Sequence, residues 1–329
     1  MKTKRSGHRV ENGTMRSAVL LGEVRRRGCA GAVAALAVAW LALAPMAQAA
    51  DRTFASADDA VAALVQAAKA NDHAAILAVL GNASTWVFSG DAPADRAALE
   101  RFVSDYDAKH TLATSGDRVT LTLGKEDDPF AFPIVKSGDR WRFDTEAGKE
   151  ELLKRRVGRN ELDTIRVLGA IVDAEREYAS ADRNENGVRE YTSKFKSAPG
   201  KQDGLYWPTA DGAAPSPLGP LVSQAAGAGY GTKGGDAPRA YHGYHFRLLT
   251  GQGSHAKGGA FDYIVKGHMI GGFAAIAYPA RYDNSGVMTF IVNHDGVVYQ
   301  RDLGPETAAK ARAITRFDPG PGWTPASTE

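Results

Sequence analysis

The sequence predicts an α+β protein, because helical and strand patterns occupy separate stretches of the chain instead of alternating regularly. Apolar residues recur at helical spacing soon after residue 50 and again within 149–180. A series of short alternating runs follows each helical stretch, with turn residues such as Asp295 and Gly296 between them. These patterns predict helices followed by an antiparallel sheet, twice along the chain.

Three helices are predicted before the first strands. The first begins at Ser56, a favourable N-cap, the second begins at Asp72, and the third covers 95–109. Three strands then form a meander over 119–123, 130–135 and 141–144. This order is similar to the cone-shaped fold of nuclear transport factor 2-like domains, and it defines a first subdomain at 51–145.

The second subdomain, 146–329, is predicted to begin with a long helix at 149–180, either continuous or in two pieces broken at Gly158. A Gly- and Pro-rich stretch without periodicity follows at 197–239. The predicted strands are 241–250, 259–265, 272–278, 286–293 and 297–303, before a short helix at 307–314. A long helix, a long loop and an antiparallel sheet resemble the globular head of type IV pilins and pseudopilins.

Residues 1–50 have the features of a signal peptide. Three arginines precede an apolar run at 29–44, and the small residues Ala47, Ala49 and Ala50 then provide a cleavage site. The apolar run is too short for a membrane anchor and has no stop-transfer flank. Cleavage therefore predicts a periplasmic or secreted protein that keeps no transmembrane segment.

The predicted mature chain differs from the whole sequence in its thiols and its charge. Cys29 is the single cysteine, and it leaves with the leader, whether that leader starts at Met1 or at Met15. The leader holds eight of the 40 Lys and Arg and two of the 38 Asp and Glu, so 32 basic and 36 acidic residues remain. The resulting net charge of about −4 argues against nucleic acid as a partner.

One acidic loop has the spacing of a calcium-binding loop. The oxygens at its alternate positions come from Asp182, Asn184, Asn186, the Val188 carbonyl and Glu190, with a glycine at the sharp turn. A serine stands where a bidentate glutamate would complete the ligand set, so only weak calcium binding is expected. The other interpretation is an Asn-Gly turn after the long helix. No other cofactor is expected.

A second candidate is a ligand shelf at 201–207. Tyr206 and Trp207 offer aromatic faces for a sugar or a peptide, and Lys201 and Asp203 could orient such a ligand. The alternative is that the two aromatic residues anchor the long loop to the core and that the two charged residues pair in solvent. Other motifs give no evidence of function. A G-x-G-x-x-G match at 229–234 follows no predicted strand and so does not indicate a dinucleotide site, and the G-x-S-x-G motif of hydrolases does not occur.

Several sequence blocks occur together in one bacterial family. These blocks are WRFDT at 141–145, RVGRNE at 156–161, GKQDGLYWP at 200–208, SPLGP at 216–220, YHGYHFR at 241–247 and GVMTFIVN at 286–293. Through them the chain resembles the exported proteins catalogued as domain of unknown function 2950. The resemblance implies export and an α+β body, and it brings no catalytic residues. It departs at Asp182, which begins DRNENG where D-x-D-x-D-G is expected.

These observations predict an exported envelope or periplasmic protein that acts as a non-enzymatic binding or assembly component, with an unidentified envelope partner or ligand. One alternative is a hydrolase of cell-wall or extracellular polymer with its site between the subdomains. A nucleophile, a base and perturbed carboxyl groups in one pocket would favour that alternative, and an apolar pocket would favour binding. A pilin-like structural role is a second alternative, although the mature chain lacks a long apolar N-terminal helix.

Overall fold

The structure, a computed structural model, describes residues 52–81, 86–210, 212–230 and 240–327. The helices are α1 (Ala57–Lys69), α2 (His73–Leu80), α3 (Ala92–Ala108), α4 (Thr145–Tyr178), α5 (Gly219–Gly227) and α6 (Thr307–Ala313). The strands of the first half are β1 (His110–Ser115), β2 (Arg118–Leu123), β3 (Asp128–Pro129), β4 (Ile134–Ser137) and β5 (Arg140–Phe143). The strands of the second half are β6 (Tyr244–Leu249), β7 (Gly251–Gln252), β8 (Phe261–Asp262), β9 (Ile264–Val265), β10 (His268–Met269), β11 (Ala274–Pro279), β12 (Met288–Asn293), β13 (Tyr299–Asp302) and β14 (Thr324–Pro325). The predicted α+β class is confirmed.

The first sheet is an antiparallel meander in the order β1-β2-β4-β5, with β3 paired to β2. Helices α1 and α2 cover it, and their apolar residues join those of the strands in one core. Side-chain caps define the helix starts: Ser56 accepts the Asp59 amide of α1, and Asp72 accepts the Ala75 amide of α2. The cap of α3 is Asp91, with a proline in the first turn behind it.

The second sheet is also antiparallel, in the order β14-β13-β12-β11-β6. The internal strand β11 is buried at every residue, and the C-terminal half of α4 packs on the same core through Leu168 and Ile171. The N-terminal half of α4 contributes Leu152 to the first core instead. This 34-residue helix is continuous through Gly158, so of the two predicted forms the unbroken one is observed.

Two differences from the predicted elements have local causes. Strand β1 was missed, because its outward residues are exposed and its pattern is mostly polar. Helix α5 lies inside the stretch predicted to be irregular. A proline occupies its first turn, and the Gly- and Pro-rich sequence around it was interpreted as a loop. The predicted cleavage residues Ala47, Ala49 and Ala50 lie outside the described residues. The subdomain boundary at 145/146 stays a prediction.

No helix in the described part of the chain is long and apolar enough to cross a membrane.

Candidate functional site

A cavity with a mainly apolar lining lies between α1, α2, α3 and α4, and residues 242–243 also line it. We call it the junction cavity, and its volume is about 430 Å³. Its apolar lining comprises Leu64, Ala68, Ile76, Leu80, Val87, Phe88, Leu99, Phe102, Phe130, Phe132 and Leu152. A cavity of this size and polarity is typical of sites for small ligands.

The cavity exists because α3 does not pack fully onto the rest of the fold. Leu99 and Phe102 form an apolar face at helical spacing, yet none of the 17 residues of α3 is buried. This apolar face packs on the first core only in part, and Leu99 and Phe102 also line the cavity. On the opposite wall Phe130 lies 5.2 Å from Phe102 and 5.4 Å from Phe132 between ring centroids, so the wall is an aromatic cluster.

A buried arginine fixes one wall of the cavity. Arg156 on α4 is 8 % exposed, and its guanidinium donates to the carbonyls of Trp86 and Val87 and to Oδ1 of Asn284. Asn284 also donates to the Trp86 carbonyl at 3.1 Å. Burial lowers the pKa of Arg156, the charge of Asp95 opposes this, and the neighbouring arginines add to it. The hydrogen bonds of Arg156 and Asn284 hold the backbone of residues 86–87 against α4.

The cap of α3 fixes the other end. Oδ2 of Asp91 accepts the Tyr230 hydroxyl at 2.9 Å and the Gly243 amide at 3.0 Å, while Oδ1 caps the helix through the Ala94 amide. Burial, together with the charge of Asp91, raises the pKa of Tyr230 and keeps its hydroxyl protonated as the donor. One carboxylate therefore joins α3 to residues more than 130 positions away in the chain.

Some charged groups at the rim of the cavity have hydrogen-bond or ion-pair partners, and others have none among the described residues. Asp95 accepts from Ser89 and Gly90, and Asp163 pairs with Arg166 at 2.8 Å and with His242 at 3.5 Å. These carboxylates are therefore already engaged within the protein. Arg101 on α3 and Arg159 on α4 also line the cavity. The side chain of neither has an ion pair or a hydrogen bond with a described residue.

A second, polar cleft of about 790 Å³ contains much of the sequence-predicted chemistry. It is lined by the loop 182–194, by Gly200–Asp203 and by the β9–β10 hairpin. The predicted calcium-loop residues Asp182, Asn184, Asn186 and Glu190 all line it, as do Lys201 and Asp203 from the predicted shelf. Val188 belongs to the same loop but does not line the cleft. The two motifs thus meet on one surface, which their sequence separation did not predict.

Inside the cleft the calcium-like loop closes on Glu190. The amide nitrogens of Asn184 and Asn186 donate to its Oε1 at 3.0 and 2.7 Å, and the Met269 amide donates to Oε2 at 3.1 Å. Burial raises the pKa of Glu190, but these hydrogen bonds, with one from His268, outweigh it and leave the pKa lowered. Glu190 is therefore an ionised anchor for the loop.

The side-chain oxygens of Asp182 and Asn186 also have partners within the loop. The Asp182 carboxylate accepts the Asn186 and Gly187 amides at 3.2 and 2.8 Å, and the Val188 amide donates to Asn186 Oδ1. Within the described ranges no group of three or more His, Cys, Asp or Glu residues could hold a metal ion. Calcium binding by this loop stays a prediction, and it would require the two asparagine amides to turn their oxygens inward.

The four shelf residues do not share one surface. Trp207 is buried in the second core, with the Arg183 guanidinium 5.6 Å from its ring centroid, and Tyr206 packs against the same core. Lys201 and Asp203 face the polar cleft, where Asp203 pairs with Lys194 at 2.6 Å. This placement favours the second interpretation of the motif, in which the aromatic residues anchor the loop.

A buried carboxyl group near the cleft was missed in the sequence. Glu175 on α4 is fully buried, and its Oε2 accepts the Thr192 amide at 3.1 Å, whereas Oε1 has no partner in the described part of the protein. Burial raises its pKa to about 8, and the Thr192 hydrogen bond opposes this. The signal was available, because Glu175 continues the apolar register of Leu168, Ile171 and Val172.

The comparisons with known proteins give a family and no characterised relative. A model of the family described as protein of unknown function, DUF2950, matches residues 51–326. The chain belongs to the DUF2950 family. The resemblance read from the sequence blocks is thereby confirmed. No curated protein and no solved structure matches this DUF2950 chain, so neither the nuclear transport factor 2-like nor the pilin-head resemblance gains support.

Proposed function

We propose that this DUF2950 protein is an exported envelope or periplasmic binding protein whose junction cavity takes a small ligand with a large apolar part. The observation that carries the proposal is the partly buried apolar face of α3, which lines the cavity together with the aromatic wall of Phe130 and Phe132. Apolar surface left open to a cavity gains free energy when a ligand removes it from water, about 25 cal/mol per Å².

The polar groups of the cavity support binding more than hydrolysis. Ser89 is the one hydroxyl of a serine among the described lining residues, and it donates to Asp95 and accepts the Asp91 amide. His242 pairs with Asp163 and not with a nucleophile. The arrangement of nucleophile, base and orienting group that hydrolases use is therefore not assembled here.

Export rests on the leader and on the family match, which begins at residue 51, beside the predicted cleavage site. We expect the mature N-terminus at Ala50 or Asp51. N-terminal sequencing of protein recovered from the periplasm or the medium tests this. An intact leader on cytoplasmic protein would refute export while leaving ligand binding open.

The binding test uses N-phenyl-1-naphthylamine, a neutral apolar dye whose fluorescence rises in apolar surroundings. We expect saturable binding to the wild type and at least tenfold weaker binding to Ala98→Phe, whose side chain would occupy the cavity one turn before Phe102. Ala108→Phe on the same helix lies outside the cavity lining and serves as the matched control. Equal binding by both variants, or none by the wild type, would overturn the proposed site.

A further inference from the structure

The lining of the junction cavity includes two arginine side chains that form no ion pair with a described residue. Arg101 on α3 and Arg159 on α4 are both exposed, and both line the cavity. The side chain of neither arginine makes a hydrogen bond or an ion pair with a described residue. Exposed cations without partners are common on surfaces, so the significance of this pair depends on its neighbours.

Those neighbours are acids that could have paired with the two arginines but are engaged elsewhere. Asp95 receives three hydrogen bonds from Ser89 and Gly90. Asp163 is shared between Arg166 and His242. Partial burial is the main cause that lowers the pKa of Arg159. The nearby charge of Arg101 lowers this pKa further, and the charge of Asp163 opposes both effects. Two like charges thus face one opening.

We infer that the ligand of the junction cavity is an amphipathic anion, whose acidic head lies between Arg101 and Arg159 and whose apolar part fills the cavity. This inference rests on the proposed function. A carboxylate, sulfonate or phosphate head offers two or more oxygens to the planar donors of guanidinium, so a head group between two arginines relieves their repulsion and forms charge-assisted hydrogen bonds. Both cations are at the rim and the aromatic wall is inside, which sets the orientation of the ligand.

The test compares two dyes with the same apolar scaffold. 1-Anilinonaphthalene-8-sulfonate carries a sulfonate, and N-phenyl-1-naphthylamine is neutral. Because the sulfonate can accept charge-assisted hydrogen bonds from both guanidinium groups, we expect it to bind the wild type about tenfold more tightly than the neutral dye at low salt. This preference should fall as salt is added, since exposed charges are screened.

Arg101→Gln and Arg159→Gln should each remove most of the preference for the sulfonate and leave the affinity for the neutral dye within about twofold. Arg96→Gln is the matched control, because Arg96 is exposed on α3 but does not line the cavity. Equal affinities of the two dyes for the wild type, or an equal effect of Arg96→Gln, would overturn the anionic head group while the apolar site stands. Failure of the neutral dye itself would instead refute the proposed function.

Discussion

Replacement of Glu175 by glutamine should make the protein more stable at neutral pH and have a much smaller effect at pH 5. The buried carboxyl group has its pKa raised from 4.5 to about 8. A raised carboxyl pKa means that the folded protein holds a proton which the unfolded chain has already lost. Stability is therefore complete below about pH 4.5, and it falls as the pH rises towards about 8.

The magnitude follows from the two pKa values. At pH 7 the native state loses about 3 kcal/mol relative to its acid limit, and at pH 5 it loses about 1 kcal/mol, both to order of magnitude. Glutamine resembles the protonated carboxyl group in shape and still offers an oxygen to the Thr192 amide. Glu175→Gln lacks the ionisation, so its advantage over the wild type should grow by about 2 kcal/mol between pH 5 and pH 7.

Urea unfolding of both proteins at pH 5, 6, 7 and 8 measures this difference directly, provided that the slopes against urea agree. Glu177→Gln is the matched control, since Glu177 is an exposed carboxyl group on the same helix. A constant difference between wild type and Glu175→Gln across this range would show that Glu175 ionises normally in the folded state. The reasoning from its burial would then be wrong.

Three further substitutions or titrations test the packing and the loop. Gly148→Ala should destabilise by about 1–3 kcal/mol in thermal or urea unfolding, because a Cβ there would overlap a buried phenylalanine ring, whereas Gly158→Ala meets open space and should be neutral or slightly stabilising. Arg156→Ala should cost about 2–4 kcal/mol, because the Val87 carbonyl and Oδ1 of Asn284 lose the guanidinium donor and the Trp86 carbonyl loses one of its two donors, while Arg166→Ala on the exposed face should cost under about 1 kcal/mol. Millimolar calcium should raise the melting temperature of the wild type but not that of the Asp182→Ala variant. An equal response of the wild type and the variant would identify the loop as an Asn-Gly turn.

Local features of the fold could be predicted because neighbouring residues determine them. Ser56 and Asp72 cap their helices within three residues, and the periodicity of α4 depends only on its own sequence. The spacing of the loop at 182–190 also brought the right side chains together. It could not show that the asparagine amides present their nitrogens to Glu190, because that choice depends on where the glutamate lies in the folded chain.

The junction cavity could not be predicted in the same way. Its walls depend on Asp91 meeting Tyr230 and on Arg156 meeting Asn284, contacts that join residues more than 120 positions apart. The sequence showed the apolar face of α3 as a helix that packs on a core. Only the folded chain shows that this face is left partly open.

Helix α4 has a consequence for how the protein unfolds. At 34 residues it is about 51 Å long, and its two ends belong to different cores. Loss of either core would leave half of this helix as an isolated stretch, which is marginal in water. Unfolding of one core therefore destabilises the part of α4 that packs on the other core. We expect the two cores to melt cooperatively. A scanning calorimeter should record one transition whose van't Hoff enthalpy approaches the calorimetric enthalpy.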